Sequence, residues 1–248
     1  MQAINFPFFL DESQGVLPFT CLSFVSKQMN MNYSSRKMAL NTGIAIIIMT
    51  ILAGFVMAIA FNALFNPETA GNQPSHTEFL SGILGWIGIL ICDLIVSNGI
   101  FQLFRTQKNK RAQVTALLRY IYSFLLAIGI VFLFKGLIYF DSEEVLRQNV
   151  ALFKWFWSFG LIIFGFHLTT LSRVFCDKNI VRRLISILLF SAGIGYIFVH
   201  GIGIFLPQWT AVATTVEPFF IPSMILGEFG FAIWLIAKGA KSKSLIIS

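Results

Sequence analysis

Residues Phe79–Phe104 read FLSGILGWIGILICDLIVSNGIFQLF, and RTQKNKR follows at once as residues 105–111. A single acid, Asp93, interrupts an otherwise apolar run that ends abruptly in four cations. A helix crossing the hydrocarbon core of a bilayer needs about 20 such residues. A β-barrel strand would instead alternate polar and apolar positions over roughly 10. This stretch does not alternate, so it reads as a spanning helix with a basic loop behind it.

Five more segments read the same way: about 39–65, 112–140, 150–172, 184–206 and 218–237. The whole chain agrees with them. Of its 248 residues 56% are hydrophobic and 12% charged, against roughly 25% charged in a soluble domain. Mean hydropathy is +0.79 and phenylalanine occurs 28 times. That composition excludes a water-soluble globule. The expected fold is an all-α membrane protein, a bundle of six transmembrane helices, with the lipid bilayer as its principal partner.

The net charge of +7 gains meaning from where the charges lie. Lys27, Arg36 and Lys37 precede the first span, and Arg105, Lys108, Lys110 and Arg111 fill the loop after the second. Arg173, Lys178, Arg182 and Arg183 surround the loop after the fourth, and Lys238, Lys241 and Lys243 close the chain. The opposite loops carry Glu68, Glu78, Asp141, Glu143, Glu144 and Glu217, with Arg147 as their clear cation. Basic loops stay in the cytoplasm. Both termini are therefore expected inside, with the protein in a plasma (inner) membrane. The basic loops are short and carry no interleaved aromatics, so they read as topology signals touching anionic headgroups rather than as a nucleic-acid site.

Residues 1–30 stand apart. Two short apolar runs, 6–10 and 16–19, are broken by prolines and by Asp11-Glu12, and neither can span. A cleavable signal would need a basic start and an unbroken apolar stretch. The segment is expected to be a poorly structured leader, either an over-long gene start ahead of Met29 or Met31 or a flexible interfacial arm. The last residues, 241–248, read as a cytoplasmic tail.

Polar residues inside a span cost about 2.5–3.5 kcal/mol on insertion scales and should face other helices. Counted inward at 1.5 Å per residue, Asp93 lies about 16 Å and Glu228 about 14 Å from the basic ends of their helices. Arg119 and His167 lie roughly 8–10 Å in. These four, with Asn98 and Tyr196, are the candidates for a buried polar site. Two readings stand open for Arg119: it pairs with one of the acids, or it snorkels to the cytoplasmic surface. Lys135 is expected to snorkel outward. The acids either form a site used by a small transporter or sensor, or serve only as packing glue between helices.

Other chemistry finds little support. Cys21, Cys92 and Cys176 form no spaced set. His167 and His200 differ in depth by about 15 Å and cannot share one ion. His76 falls in an outer loop. HExxH, GxSxG and a phosphate-cradling glycine loop are all missing from the sequence. Neither a cofactor nor a catalytic residue is expected. Ser81, Gly85 and Gly88 in span two, and Ser191, Gly195 and Gly203 in span five, form small-residue strips suited to close helix approach. Trp155, Trp157, Trp209, Trp234, Tyr120 and Tyr139 fall near span ends, where aromatic belts belong.

The order of short motifs carries a resemblance. Phe164-Gly165-Phe166-His167-Leu168 is followed by Ala192-Gly193-Ile194-Gly195-Tyr196-Ile197, then by Leu226-Gly227-Glu228 and Trp234–Gly239. Together with Arg36-Lys37, an acid in span two and an arginine early in span three, this resembles the bacterial membrane family called domain of unknown function 4386. The resemblance covers about residues 31–240. It departs at Cys176–Val181, where the family has a Gly-Phe-x-Pro turn, and at Val199-His200, where it tends to place an acid. It implies the six-helix architecture and no particular activity.

Overall fold

The structure is a computed structural model that describes residues 17–60, 75–105 and 110–239. Six long helices account for nearly all of them: α1 Leu17–Phe55, α2 His76–Arg105, α3 Lys110–Ile138, α4 Glu143–Phe175, α5 Ile180–Phe205 and α6 Thr210–Lys238. A π-helical turn, Val56–Ala60, continues α1, and a 3-10 turn, Pro207–Trp209, precedes α6. There is no strand among the described residues. Each of the six is long and apolar enough to cross a membrane.

The outward faces explain why. Ile51, Phe124, Val131, Ile138, Phe205 and Phe219 are all largely exposed. In water such a surface would drive aggregation. In hydrocarbon it is the natural solvent contact, and the backbone polar groups are satisfied within each helix. The chain is a multi-pass integral membrane protein, with six span-length apolar helices among the described residues.

Local sequence sets the helix ends. Before α2, Ser75 and Glu78 form a capping box: the Glu78 carboxylate accepts from the Ser75 backbone N–H at 2.7 Å, and Ser75 Oγ accepts from the Glu78 N–H at 3.2 Å. Before α5, the Asn179 side chain accepts from the N–H groups of Val181 and Arg182. Glu143 and Glu144 begin α4, where their charge complements the helix dipole.

Two helices differ from expectation. α1 begins at Leu17, so residues 17–30 are helical and continuous with the first span, where a poorly structured leader was expected. The expected stop at Asn66-Pro67, the leader's residues 1–16 and the tail 241–248 lie outside the described residues. α6 begins at Thr210, eight positions before the expected start, and runs through Pro218 and Pro222. Each proline lacks an N–H, which frees the carbonyl four residues earlier. A span tolerates this because neighbouring side chains and helices re-satisfy the backbone.

The helices form a ring in chain order, with each packed on its sequence neighbours and α6 closing against α1. Close approaches fix the ring. At the α4–α5 crossing, Gly165 and Gly193 meet backbone to backbone: a Cβ at Gly193 would lie 2.6 Å from the Gly165 carbonyl oxygen. Of the expected strips, Gly85 and Gly88 receive Val56 and Leu52 of α1, and Gly195 receives Phe220 of α6. Gly203 faces open space and holds nothing. α1 and α6 touch near their basic ends, where Gly43 lies against Ala232 and Ile236.

Candidate functional site

Asp93 of α2 and Arg119 of α3 are both inside the bundle, 0% and 2% exposed. Arg119 Nη2 donates to Asp93 Oδ1 at 2.6 Å. Its Nη1 lies 3.3 Å from Nε2 of His167 on α4, and its Nη2 also lies 3.6 Å from the Met49 sulfur on α1. The guanidinium carbon sits 5.1 Å from the centre of the Phe164 ring. Arg119 therefore pairs with an acid inside the bundle, and the surface-directed alternative is set aside.

The histidine's partners decide its tautomer. His167 Nδ1 is 2.8 Å from the Thr115 carbonyl oxygen. A carbonyl can only accept, so Nδ1 carries the proton. Nε2 then offers its lone pair to the arginine, which can only donate. Thr115, His167, Arg119 and Asp93 thus form one directed chain of hydrogen bonds joining α2, α3 and α4. A buried ion pair of this kind holds because its members are hydrogen-bonded as well as charged.

The chain is not fully satisfied. Among the described residues, Asp93 Oδ2 and Arg119 Nε are buried without a hydrogen-bond partner, and so is the indole Nε1 of Trp86. Asp93 and Trp86 line a central cavity of about 450 Å³. Every helix contributes to its wall: Met49, Thr50, Ala53, Gly54 and Met57 from α1, Trp86, Ile89 and Asp93 from α2, and Tyr122 from α3. Trp157, Leu161 and Phe164 come from α4, Tyr196 from α5, and Met224, Ile225 and Glu228 from α6. Gly54 and Ile225 are also exposed, so the cavity opens between α1 and α6.

Glu228 differs from Asp93 in its partners. It lines the same cavity and is half-buried, yet among the described residues it has neither a hydrogen bond nor an ion pair. The charges of Arg119 and Asp93 are near enough to act on it electrostatically. Tyr196 joins the wall through the Phe164 ring, 5.5 Å between centres and edge to face.

Of the six candidate residues, the structure brings together Asp93, Arg119, His167, Glu228 and Tyr196. Asn98 is not among them: it lies on the exposed face of α2 and accepts from the Gln102 side chain at 2.9 Å. Five residues before it, Asp93 occupies the inward face, and the helical period sends Asn98 outward. Lys135 is exposed in the last turn of α3. Trp86, Tyr122, Trp157 and Phe164 belong to the cavity wall although none of them is a site candidate from the sequence. A signal was present in Trp86 and Tyr122, which carry polar tips well inside their spans rather than at a headgroup belt. Trp155, Trp209, Tyr120 and Tyr139 are exposed, as belt residues should be, whereas Trp157 and Trp234 turn inward.

One basic-loop residue also has a structural task. Arg182 is 5% exposed; its Nε donates to the Phe175 carbonyl at 3.0 Å and its Nη1 to Asp177 at 2.7 Å. Its guanidinium lies over the rings of Phe175 and Trp234. It clamps the α4–α5 turn to α6 rather than facing headgroups.

Among the described residues, a ring of six apolar helices around a mostly aromatic and apolar cavity holding two carboxylates defines a multi-pass membrane protein. Its sequence from 41 to 239 matches the family model described as domain of unknown function (DUF4386), and the chain belongs to that family. No curated protein and no solved structure matches it.

Proposed function

We propose that the protein is a small transporter or membrane sensor whose ligand occupies the central cavity and contacts Glu228. In this reading it sits in the plasma membrane with both termini in the cytoplasm, as its basic loops imply. The observation that carries the proposal is the Glu228 carboxylate, which faces a 450 Å³ cavity with no partner among the described residues. An ionisable side chain at membrane depth is costly to keep, and function is the usual reason for keeping it. Pockets of roughly 300–1,000 Å³ are the size of small-molecule sites. A carboxylate that only fixed helix packing would be expected to hold a hydrogen bond across helices, as Asp93 does.

The competing reading is a non-transporting membrane protein, an interaction or stability partner whose buried polar groups only fix packing. It draws on the Thr115–His167–Arg119–Asp93 chain, which joins three helices. It gives no task to Glu228 or to the cavity. Replacing Glu228 with Gln separates the two. The proposed function predicts normal folded yield, a Tm in detergent micelles within a few degrees of the parent protein, and loss of ligand-induced stabilisation across a screen of small molecules. A large fall in Tm, with no ligand stabilising the parent protein either, would assign Glu228 to packing. Orientation is tested separately: a reporter fused at Lys108 should read as cytoplasmic.

A further inference from the structure

We infer that the cavity takes a lipophilic organic cation, an aryl- or alkyl-substituted ammonium or phosphonium, entering from the bilayer between α1 and α6. The inference deepens the proposed function and rests on the cavity being a ligand site.

Charge comes first. Two carboxylates, Asp93 and Glu228, face the cavity, and the nearest cation is committed elsewhere. Arg119 gives Nη2 to Asp93 Oδ1, turns Nη1 to His167 and lays its guanidinium against Phe164. Among the described residues Asp93 Oδ2 is left buried and unpartnered, and Glu228 has no ion-pair contact, Arg119 acting on it only from a distance. His167 brings none, because its hydrogen-bond partners fix it as a neutral imidazole. For an anionic ligand the wall offers the unpartnered indole N–H of Trp86 but, among the described residues, no cation. A cation would meet the Glu228 carboxylate and the Oδ2 atom of an Asp93 already balanced by Arg119, in a low-dielectric space where attraction to the unbalanced carboxylate is strong.

The wall supplies the second argument. Trp86, Tyr122, Trp157, Phe164 and Tyr196 surround the space with π-faces and edges. Aromatic faces attract cations by their quadrupole, most strongly when water is excluded. Methionines 49, 57 and 224 add polarizable thioether side chains that adapt to varied shapes. A small hydrated metal ion suits oxygen ligands and keeps much of its water, and an apolar aromatic lining does not serve it. A bulky cation with hydrocarbon or aryl substituents fits both the charge and the lining.

The route is the third. The cavity meets the outer surface at Gly54 and Ile225, in the lipid-facing part of the ring. A lipophilic cation already resides in the bilayer and needs no aqueous vestibule. A phospholipid ammonium headgroup is a poorer occupant, because its adjoining phosphate would be carried toward the same two carboxylates.

The test uses the full-length protein in maltoside micelles and three probes: tetraphenylphosphonium, its near-isosteric anion tetraphenylborate, and neutral triphenylphosphine oxide. Binding is followed by calorimetry against empty micelles. Tetraphenylphosphonium should bind saturably with one site per chain, and the other two about tenfold more weakly or worse. Glu228→Gln should weaken the phosphonium by about tenfold and leave the neutral oxide unchanged. The three-probe comparison on the unaltered protein stands even if that variant misfolds. Equal or tighter binding of the oxide or the borate would overturn the cation assignment while leaving a ligand cavity. Saturable binding of none of the three would remove the cation and the proposed function together. Dodecylphosphocholine should fail to displace the phosphonium, and displacement at submicellar concentration would overturn the inference in favour of a lipid headgroup.

Discussion

The two mid-membrane acids line one cavity and live under different rules. Asp93 is held by Arg119 at 2.6 Å, and behind that pair His167 and Thr115 complete a chain that ties α2, α3 and α4 together. Glu228, on α6, faces the same space and is tied to nothing among the described residues. The first arrangement ties helices together, and the second leaves a carboxylate without a hydrogen bond, the feature on which the proposed ligand site rests. The difference follows from neighbours: α2 to α4 pack closely around their polar chain, whereas α6 meets α1 near the basic end and leaves the cavity open to lipid beyond it.

If that contrast is real, damage to the closed side should cost far more stability than damage to the open side. The largest effect is expected from Arg119→Leu. It leaves Asp93 buried without a counter-charge and should cost about 3–5 kcal/mol, read as a collapse of folded yield or a steep fall in Tm in micelles. The double replacement Asp93→Leu with Arg119→Leu should recover a large part of that loss, because the penalty comes from the stranded charge. A double variant no better than the single would mean that Arg119 acts through its packing on Phe164 instead.

A smaller loss is expected from His167→Leu. The apolar side chain keeps the volume but withdraws the acceptor from Arg119 Nη1 and the donor from the Thr115 carbonyl. The expected cost is about 1–3 kcal/mol in unfolding free energy, with the bundle still assembled. A variant as stable as the parent protein would show that Arg119 needs only Asp93. Glu228→Gln, on the open side, should change stability by no more than about 0.5 kcal/mol, the range of substitutions away from packed features. A loss comparable to that of His167→Leu would erase the distinction between the two acids.

The sequence made the spans and the cast of the site legible for one reason: charge is scarce, so each charge inside a span stands out. Asp93, Arg119 and Glu228 could be named, and so could His167. Their pairing could not, because three helices of unknown order must meet before Arg119 can choose between two acids. The cavity was also hidden. Trp157 near a span end reads like a belt residue, and only its rotation on α4 shows that it faces inward beside Trp86, 5.4 Å between ring centres. Asn98 failed for a similar reason, since depth along a helix was countable and facing was not. Arg182 counted as one more loop cation until the turn folded it against Phe175 and Trp234. The α6 helix begins at Thr210 and runs through Pro218, because a bilayer-spanning helix tolerates a proline that would break one in water.

The sharpest effect on access, with no loss of stability, is expected at Gly54. A Cβ added there meets nothing within 4 Å. Gly54→Ala should therefore be neutral or stabilising by about 0.5–1 kcal/mol, because alanine loses less backbone entropy in a helix. Gly54→Trp keeps the helix but puts a large ring where the cavity reaches lipid between α1 and α6. It should leave the Tm near that of the alanine variant and slow both association and dissociation of a cavity ligand, with little change in equilibrium affinity. Rates read by stopped-flow quenching of tryptophan fluorescence, referenced to the alanine variant, decide the matter. Unchanged rates would close the lateral route and move the entrance to one end of the ring.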